Sequence, residues 1–155
     1  MKKLVFAMAA LTASVSVPAA QWGYIGDNME ERTITFVNLT DISKAPFGKR
    51  FWVASVNKDP ALKWDMLLVH YEFDCRKKAF RTPQYHTYLR GKIQETEISD
   101  DREWQYIIPD TTAVYMHEAV CRKVRPEHVF DFDDYGELTK FGQRIIMETL
   151  RKQKR

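Results

Sequence analysis

The sequence is poor in cysteine, with only Cys75 and Cys121 among its 155 residues. Neither cysteine belongs to a C-x-x-C pair, and no histidine lies within metal-finger spacing of both. No serine occupies a G-x-S-x-G elbow, and the sequence has no internal repeats and no low-complexity stretches. The chain therefore lacks a recognisable motif for nucleophilic catalysis and the signature of a repeat protein.

The first twenty residues have the pattern of a bacterial-type secretory signal peptide. Lys2-Lys3 precedes an apolar run over residues 4–17, and Pro18-Ala19-Ala20 supplies the small residues that a signal peptidase accepts. The run of about fourteen residues is short for a membrane span, which needs roughly 20 residues. We expect cleavage after Ala19 or Ala20. No cysteine lies at the cleavage site, so we expect an exported chain without a lipid anchor and without stable membrane insertion.

The balance of charges excludes one broad class of partner. Removing residues 1–20 leaves a chain the size of one ordinary domain, with basic and acidic residues almost equal in number. Nucleic-acid-binding domains carry a strong basic excess, so no nucleic-acid partner is expected. The last five residues, 151–155, form a local basic cluster that either contacts anionic lipid or a partner, or complements a helix dipole.

Export changes the expected chemistry of the two cysteines. Two thiols in an exported chain usually form one disulfide, so a bond between Cys75 and Cys121 is predicted. This bond closes a loop of about 47 residues, which stabilises a fold by about 4 kcal/mol in the chain-entropy model. The alternative use of the two thiols is a redox or metal site.

Most of the mature chain has the pattern of β-strands. Residues 33–39 alternate polar and apolar side chains, which is typical of a half-buried strand. Further strands are predicted over residues 50–56, 64–73, 80–89, 92–98 and 104–108. Within residues 80–89, Pro83 marks an edge or a bulge. Short turns between successive strands favour an antiparallel sheet, because parallel pairs need long crossovers.

Two helices are predicted after Pro109. Asp110-Thr111-Thr112 is a helix-capping cluster, and the apolar positions that follow fit a short helix with Cys121 in its last turn. An amphipathic helix is predicted near the C-terminus from the spacing of Leu138, Phe141, Ile145 and Leu150. The expected fold class is α+β, with an antiparallel sheet of about six strands packed with the short helix, plus the C-terminal amphipathic helix.

Three segments of the chain form a recognisable series. Residues 71–75 lead from a strand to the first cysteine, residues 104–112 contain a proline followed by small hydroxyl residues, and Val120-Cys121 then supplies the second cysteine. In this order, the three segments resemble the surface-adhesin protein E family. The segment 33–41 is similar to the first hairpin of that family. The resemblance covers roughly residues 22–123.

The resemblance implies a six-stranded antiparallel sheet packed with a helix and a disulfide between Cys75 and Cys121. It also implies a cell-surface protein that binds host matrix proteins such as vitronectin and laminin. The chain departs from the family's best-known member because it lacks a lipid-anchoring cysteine and carries a longer tail. We therefore divide it into a signal peptide at 1–20, an adhesin E-like domain at 21–123 and a C-terminal extension at 124–155.

A candidate binding site for anionic glycans or acidic protein segments is the basic cluster Arg76, Lys77, Lys78 and Arg81. The alternative is an ordinary solvated strand edge, where lysines prevent sheet-to-sheet aggregation. The four histidines show no known catalytic spacing and are interpreted as surface or rim residues: His70, His86, His117 and His128.

An acidic segment near the C-terminus partly matches a helix-loop calcium motif. Asp131, Asp133 and Gly136 occupy positions 1, 3 and 6 of that motif. Position 12 is Gly142, so the bidentate glutamate, which is the strongest ligand, is lost. We expect the segment to cap the following helix, because negative charge is stabilised at the positive end of the helix dipole.

These patterns predict an exported, non-enzymatic binding domain without a cofactor or a metal. Its partner is expected to be a protein or an anionic glycan of the host matrix or the bacterial envelope, met in the periplasm or at the cell surface. One alternative is a periplasmic enzyme or metal-dependent accessory protein that uses histidines brought together by the fold. A second alternative is a structural subunit of an envelope complex, with the C-terminal helix as its docking surface.

Overall fold

A computed structural model describes residues 19–98 and 103–153 of the chain. The signal peptide predicted at 1–20 lies outside the described residues except for Ala19 and Ala20. Residues 154–155 of the basic tail also lie outside them. In the part of the chain that is described, no helix is long and apolar enough to cross a membrane.

The described residues form nine strands and two helices. The strands are β1 (Ala20–Asn28), β2 (Thr33–Asn38), β3 (Ser43–Ala45), β4 (Gly48–Asn57), β5 (Met66–Asp74), β6 (Ala79–Leu89), β7 (Lys92–Ile98), β8 (Gln105–Tyr106) and β9 (Val129–Phe132). The helices are α1 (Thr112–Cys121) and α2 (Tyr135–Gln153).

All strand pairs are antiparallel and belong to one sheet in the order β7-β6-β5-β4-β2-β1-β9, with β3 paired to β4 and β8 paired to β6. The predicted α+β class and antiparallel sheet are confirmed. Six strands are long, and β3, β8 and β9 are short additions of two to four residues. The sequence reasoning missed β1, β3 and β9. Of these, β1 and β9 pair with each other at one edge of the sheet.

The sheet separates two hydrophobic layers. One face packs against α2, whose Leu138 and Ile146 are fully buried together with Ile34, Phe36 and Val56 of the sheet. The other face packs against α1 through these buried side chains: Ile25, Val37, Phe51, Val53, Phe73, Met116, Ala119 and Val120. Both helices predicted from the sequence therefore lie on the sheet, on opposite faces.

The acidic segment before α2 caps that helix. The carboxylate of Asp134 accepts a hydrogen bond from the Glu137 N–H at 2.8 Å, and the carboxylate of Glu137 accepts one from the Asp133 N–H at 3.2 Å. This reciprocal pair satisfies N–H groups at the start of the helix that would otherwise lack a partner. The capping interpretation of the segment is confirmed.

The two cysteines form the predicted disulfide. Cys75 follows the end of β5 and Cys121 ends α1, and their Cα atoms lie 5.5 Å apart. The imidazole of His117 in α1 also forms a hydrogen bond of 3.3 Å with the carbonyl oxygen of Cys75. The disulfide therefore fixes α1 to the end of the central strand β5.

Candidate functional site

The sheet face that carries α2 continues beyond the helix as a polar surface. Cross-strand pairing arranges its side chains in rows that run over β4, β5 and β6. Two rows contain the core residues Ala54, Leu68, Val56 and Met66. The next two rows are Trp52–His70–Gln84 and Arg50–Glu72–Arg81. We call these six residues the open face, because they lie on the part of this sheet surface that borders a solvent-accessible cavity.

A bulge in β6 places Arg81 on this face. His70 pairs with Gln84 and Glu72 pairs with Arg81, so β6 advances by three residues where β5 advances by two. The extra residue lies at Thr82-Pro83, which confirms that Pro83 marks a bulge. Without the extra residue, the two-residue period of a strand would place Arg81 and Gln84 on opposite faces.

Glu72 is the buried centre of the open face. Its side chain is 1% exposed, and one carboxylate oxygen, Oε2, accepts hydrogen bonds from Arg81 Nη2 at 2.8 Å and Nε at 3.2 Å. Arg50 Nη2 lies 3.4 Å from the same oxygen. Burying a carboxylate is costly unless it is paired and hydrogen-bonded, and the fork of a guanidinium suits that task. The arginines therefore hold Glu72 in place, and Glu72 in turn orients them.

Two polar atoms of this cluster lack a protein partner. The second carboxylate oxygen of Glu72, Oε1, and the Nε atom of Arg50 are buried and make no hydrogen bond within the described residues. Both residues line a cavity of about 300 Å³, which is also lined by His70, Arg81, Pro83, Gln84 and Ile98. Two residues that each carry a polar atom without a protein partner, one an acceptor and the other a donor, thus line the same cavity, which makes it a candidate binding site.

Trp52 forms an aromatic surface beside the cavity. Its ring stacks on His70 with the ring centroids 4.6 Å apart, and on His86 at 5.6 Å. The Gln84 amide nitrogen lies 2.9 Å from His86 Nε2, and Thr96 Oγ1 lies 2.8 Å from His86 Nδ1. Because an amide nitrogen only donates, Nε2 accepts and Nδ1 carries the proton toward Thr96. Stacking and hydrogen bonds therefore hold the Trp52 ring in a defined orientation.

The electrostatics of the open face favour a neutral His70. Burial, together with the positive charge of Arg50, lowers the pKa of His70 below its ordinary value of 6.5, while the negative charges of Asp41 and Glu72 oppose the shift. The unfolded chain therefore binds the proton more readily than the folded chain does. The contribution of His70 to stability is present above pH 6.5 and is lost as the pH falls below that value.

Two substitutions are expected to move the pKa of His70 in opposite directions. Arg50→Gln removes a repulsive charge and should raise it, whereas Asp41→Asn removes an attractive charge and should lower it further. Following the imidazole C–H resonance of His70 by NMR as a function of pH measures both shifts. A shift of the same sign in both variants would contradict this account of the site.

The structure separates the members of the predicted basic cluster. Arg76, Lys77 and Lys78 are exposed in the turn between β5 and β6, and the Asp74 carboxylate accepts hydrogen bonds from the Arg76 and Lys77 N–H groups, both at 3.0 Å. Arg81 instead belongs to the open face, where it binds Glu72 and lies 5.1 Å from the centroid of the Trp104 ring. The four residues therefore belong to two environments, a solvated turn and a partly buried ion cluster.

The structure brings together two of the four histidines. His70 and His86 meet on Trp52, whereas His117 contacts the opposite face beside Phe73 and His128 lies next to Tyr24. Glu72, the carboxylate beside His70, is engaged by arginines. Over residues 19–98 and 103–153, no three His, Cys, Asp or Glu side chains are placed to hold a metal ion.

The sequence reasoning missed Arg50, Trp52 and Glu72 as site residues. One signal was present, because Glu72 interrupts an otherwise apolar and aromatic segment, and a charged residue in a buried strand needs a partner. The identity of that partner depends on the pairing of β5 with both of its neighbours, which the sequence pattern does not specify.

Comparison with known proteins identifies a family. A family model described as Surface-adhesin protein E matches residues 22–122, which is well over half of the chain. The matched segment contains both cysteines and every residue of the open face. No match was found among curated proteins or solved structures.

Proposed function

Because the chain belongs to the surface-adhesin protein E family, we propose that it is an exported, non-enzymatic binding domain whose open face recognises a host-matrix or envelope component. The family indicates an adhesin-like role at the cell surface in general terms. The observation that carries the proposal is the cavity beside Glu72, where a buried acceptor and a buried donor have no partner. Burying such groups is costly unless water or a ligand forms hydrogen bonds with them.

A rigid support favours binding at this site. The open face stands on β4, β5 and β6, three adjacent inner strands of the sheet, and the disulfide fixes the end of β5 to α1. Side chains held on strands lose little conformational freedom when a partner binds, which favours affinity. Recognition of a partner therefore needs no rearrangement of the backbone.

The exposed turn with Arg76, Lys77 and Lys78 has a different role in this proposal. Solvated charges near an interface accelerate encounter with an acidic partner and add little to the lifetime of the complex. We assign the turn to attraction of an anionic partner and the open face to its retention. The two surfaces can then be distinguished by kinetics.

A surface-binding experiment tests both assignments. The full chain is passed over immobilised laminin, vitronectin and a bacterial envelope extract. Trp52→Leu is expected to raise the dissociation rate by roughly tenfold or more, since it removes the aromatic surface of the face. The triple variant Arg76→Gln, Lys77→Gln and Lys78→Gln is expected to lower the association rate a few-fold at low salt. Its dissociation rate should stay about the same as that of the unaltered chain.

Three results would contradict the proposal. Absence of saturable binding to all three surfaces removes the binding function. Saturable binding with an unchanged dissociation rate in Trp52→Leu, whose folding is checked by circular dichroism, removes the open face as its site. A covalent change in the captured partner after incubation, detected by mass spectrometry, removes the non-enzymatic role.

A further inference from the structure

We propose that the cavity of the open face binds an acidic sugar, with its carboxylate on Arg50 and a neighbouring hydroxyl on Glu72. This inference rests on the proposed binding function and names the chemical class of ligand for the same site. It follows from the hydrogen-bonding needs, the size and the walls of the cavity.

The hydrogen-bonding groups require both an acceptor and a donor in the ligand. Arg50 Nε is a buried donor without a partner, and its guanidinium only weakly engages Glu72, at 3.4 Å against 2.8 Å for Arg81. A carboxylate satisfies it best, because a guanidinium and a carboxylate make charge-assisted hydrogen bonds. Glu72 Oε1 is a buried acceptor, which calls for an N–H or O–H group. A fully ionised sulfate has no such donor, whereas a sugar acid carries both groups a few ångströms apart.

The size and walls of the cavity fit one sugar ring. A volume of about 300 Å³ lies at the lower end of small-molecule sites, which range over roughly 300–1,000 Å³. Pro83 and Ile98 supply apolar wall, and Gln84 adds an amide. The Trp52 ring lies in the adjoining row and stacks on His70, so it fixes the orientation of an imidazole that lines the cavity.

Titration of the folded, full chain with four probes tests this inference. The probes are D-glucuronate, N-acetylneuraminate, D-glucose and sulfate, and the readout is the NMR shift of the Arg50 Nε–H and His70 resonances. Either sugar acid is expected to give saturable shifts, and the one that binds identifies the source as a uronic-acid polymer or a sialylated glycan. Glucose and sulfate should bind at least tenfold more weakly, because each lacks one of the two required groups.

Variants matched in charge make the test specific. Arg50→Gln and Lys63→Gln each remove one positive charge, and Lys63 is exposed between β4 and β5, outside both proposed binding surfaces. Only Arg50→Gln is expected to weaken binding of the sugar acid at least tenfold. Arg50→Lys keeps the charge but loses the Nε–H donor, so it should also weaken binding, and it guards against loss of folding in Arg50→Gln.

Three outcomes would overturn the inference. These are equal binding of sulfate and the sugar acids, equal weakening by Lys63→Gln and Arg50→Gln, or no saturable shift with either sugar acid. If binding to the immobilised surfaces still depends on Trp52 while neither sugar acid binds, the ligand class is wrong and the proposed function stands. If the chain binds neither the immobilised surfaces nor a sugar acid, both the ligand class and the proposed function are wrong.

Discussion

Ending the chain after Lys123 is expected to abolish cooperative folding of the domain. The truncation removes β9, which pairs with β1, and α2, which covers one face of the sheet. Leu138 and Ile146 of α2 are 0% exposed, and loss of such a side chain alone costs about 2–5 kcal/mol. The free energy lost on removing the whole helix is therefore expected to exceed the roughly 5–15 kcal/mol by which domains are stable.

Dispersion of the amide resonances and a urea titration measure this effect. A single substitution gives a graded version: Leu138→Ala should lower the free energy of unfolding by about 2–5 kcal/mol. Met147→Ala is the control, because Met147 lies in the same helix but is 38% exposed. This substitution should change the free energy of unfolding by less than about 0.5 kcal/mol. A truncated chain that still unfolds in one cooperative transition would contradict the role of α2 as part of the core.

This result also decides between two interpretations of the C-terminal segment. The family match ends at residue 122, before β9 and α2 begin. An α2 that serves only as a docking surface for an envelope complex would leave residues 21–123 folded when it is removed. The buried side chains and Gly142, whose position leaves no room for a Cβ beside Val56, favour a helix that completes the core.

Replacing both cysteines by serine is expected to lower the free energy of unfolding by about 4 kcal/mol. The bond spans a sequence separation of 46 residues, and its loss restores the freedom of that loop in the unfolded chain. The effect is of the same order as the whole stability of a small domain. Urea denaturation of the oxidised chain and of the Cys75→Ser, Cys121→Ser double variant measures the difference.

A reducing agent provides the matched control for this second experiment. It should destabilise the unaltered chain by a similar amount and leave the double variant unchanged, because the variant has no disulfide to lose. Equal midpoints for the oxidised and reduced chain would show that the bond contributes nothing to folding. A destabilised double variant combined with an insensitive unaltered chain would assign the loss to the serines.

Local patterns in the sequence determined the types of the elements. Alternation over residues 33–39 identified β2, and the spacing of Leu138, Phe141, Ile145 and Leu150 identified α2. These predictions succeed because the periods of strands and helices are properties of a few neighbouring residues. β9 was missed since its four residues are too few to show a period, and β1 because a bulge between Tyr24 and Gly26 interrupts its pairing.

The disulfide was also determined by the sequence. With two cysteines in a chain that carries an export pattern, only one pairing is available, and the structure confirms it. The acidic cap of α2 followed for the same reason, since Asp134 and Glu137 act within one turn of chain. In both cases the number of possible partners is small.

Only the tertiary structure decided the candidate binding site. Which residues face Glu72 depends on the registers of β4 and β6 against β5, and strand alternation fixes faces within a strand but not partners across strands. One extra residue at Thr82-Pro83 moves Arg81 to the face that carries Glu72. The sequence therefore determined the elements and their covalent link, while the cavity exists because three strands align Arg50, Glu72 and Arg81, which no local pattern specifies.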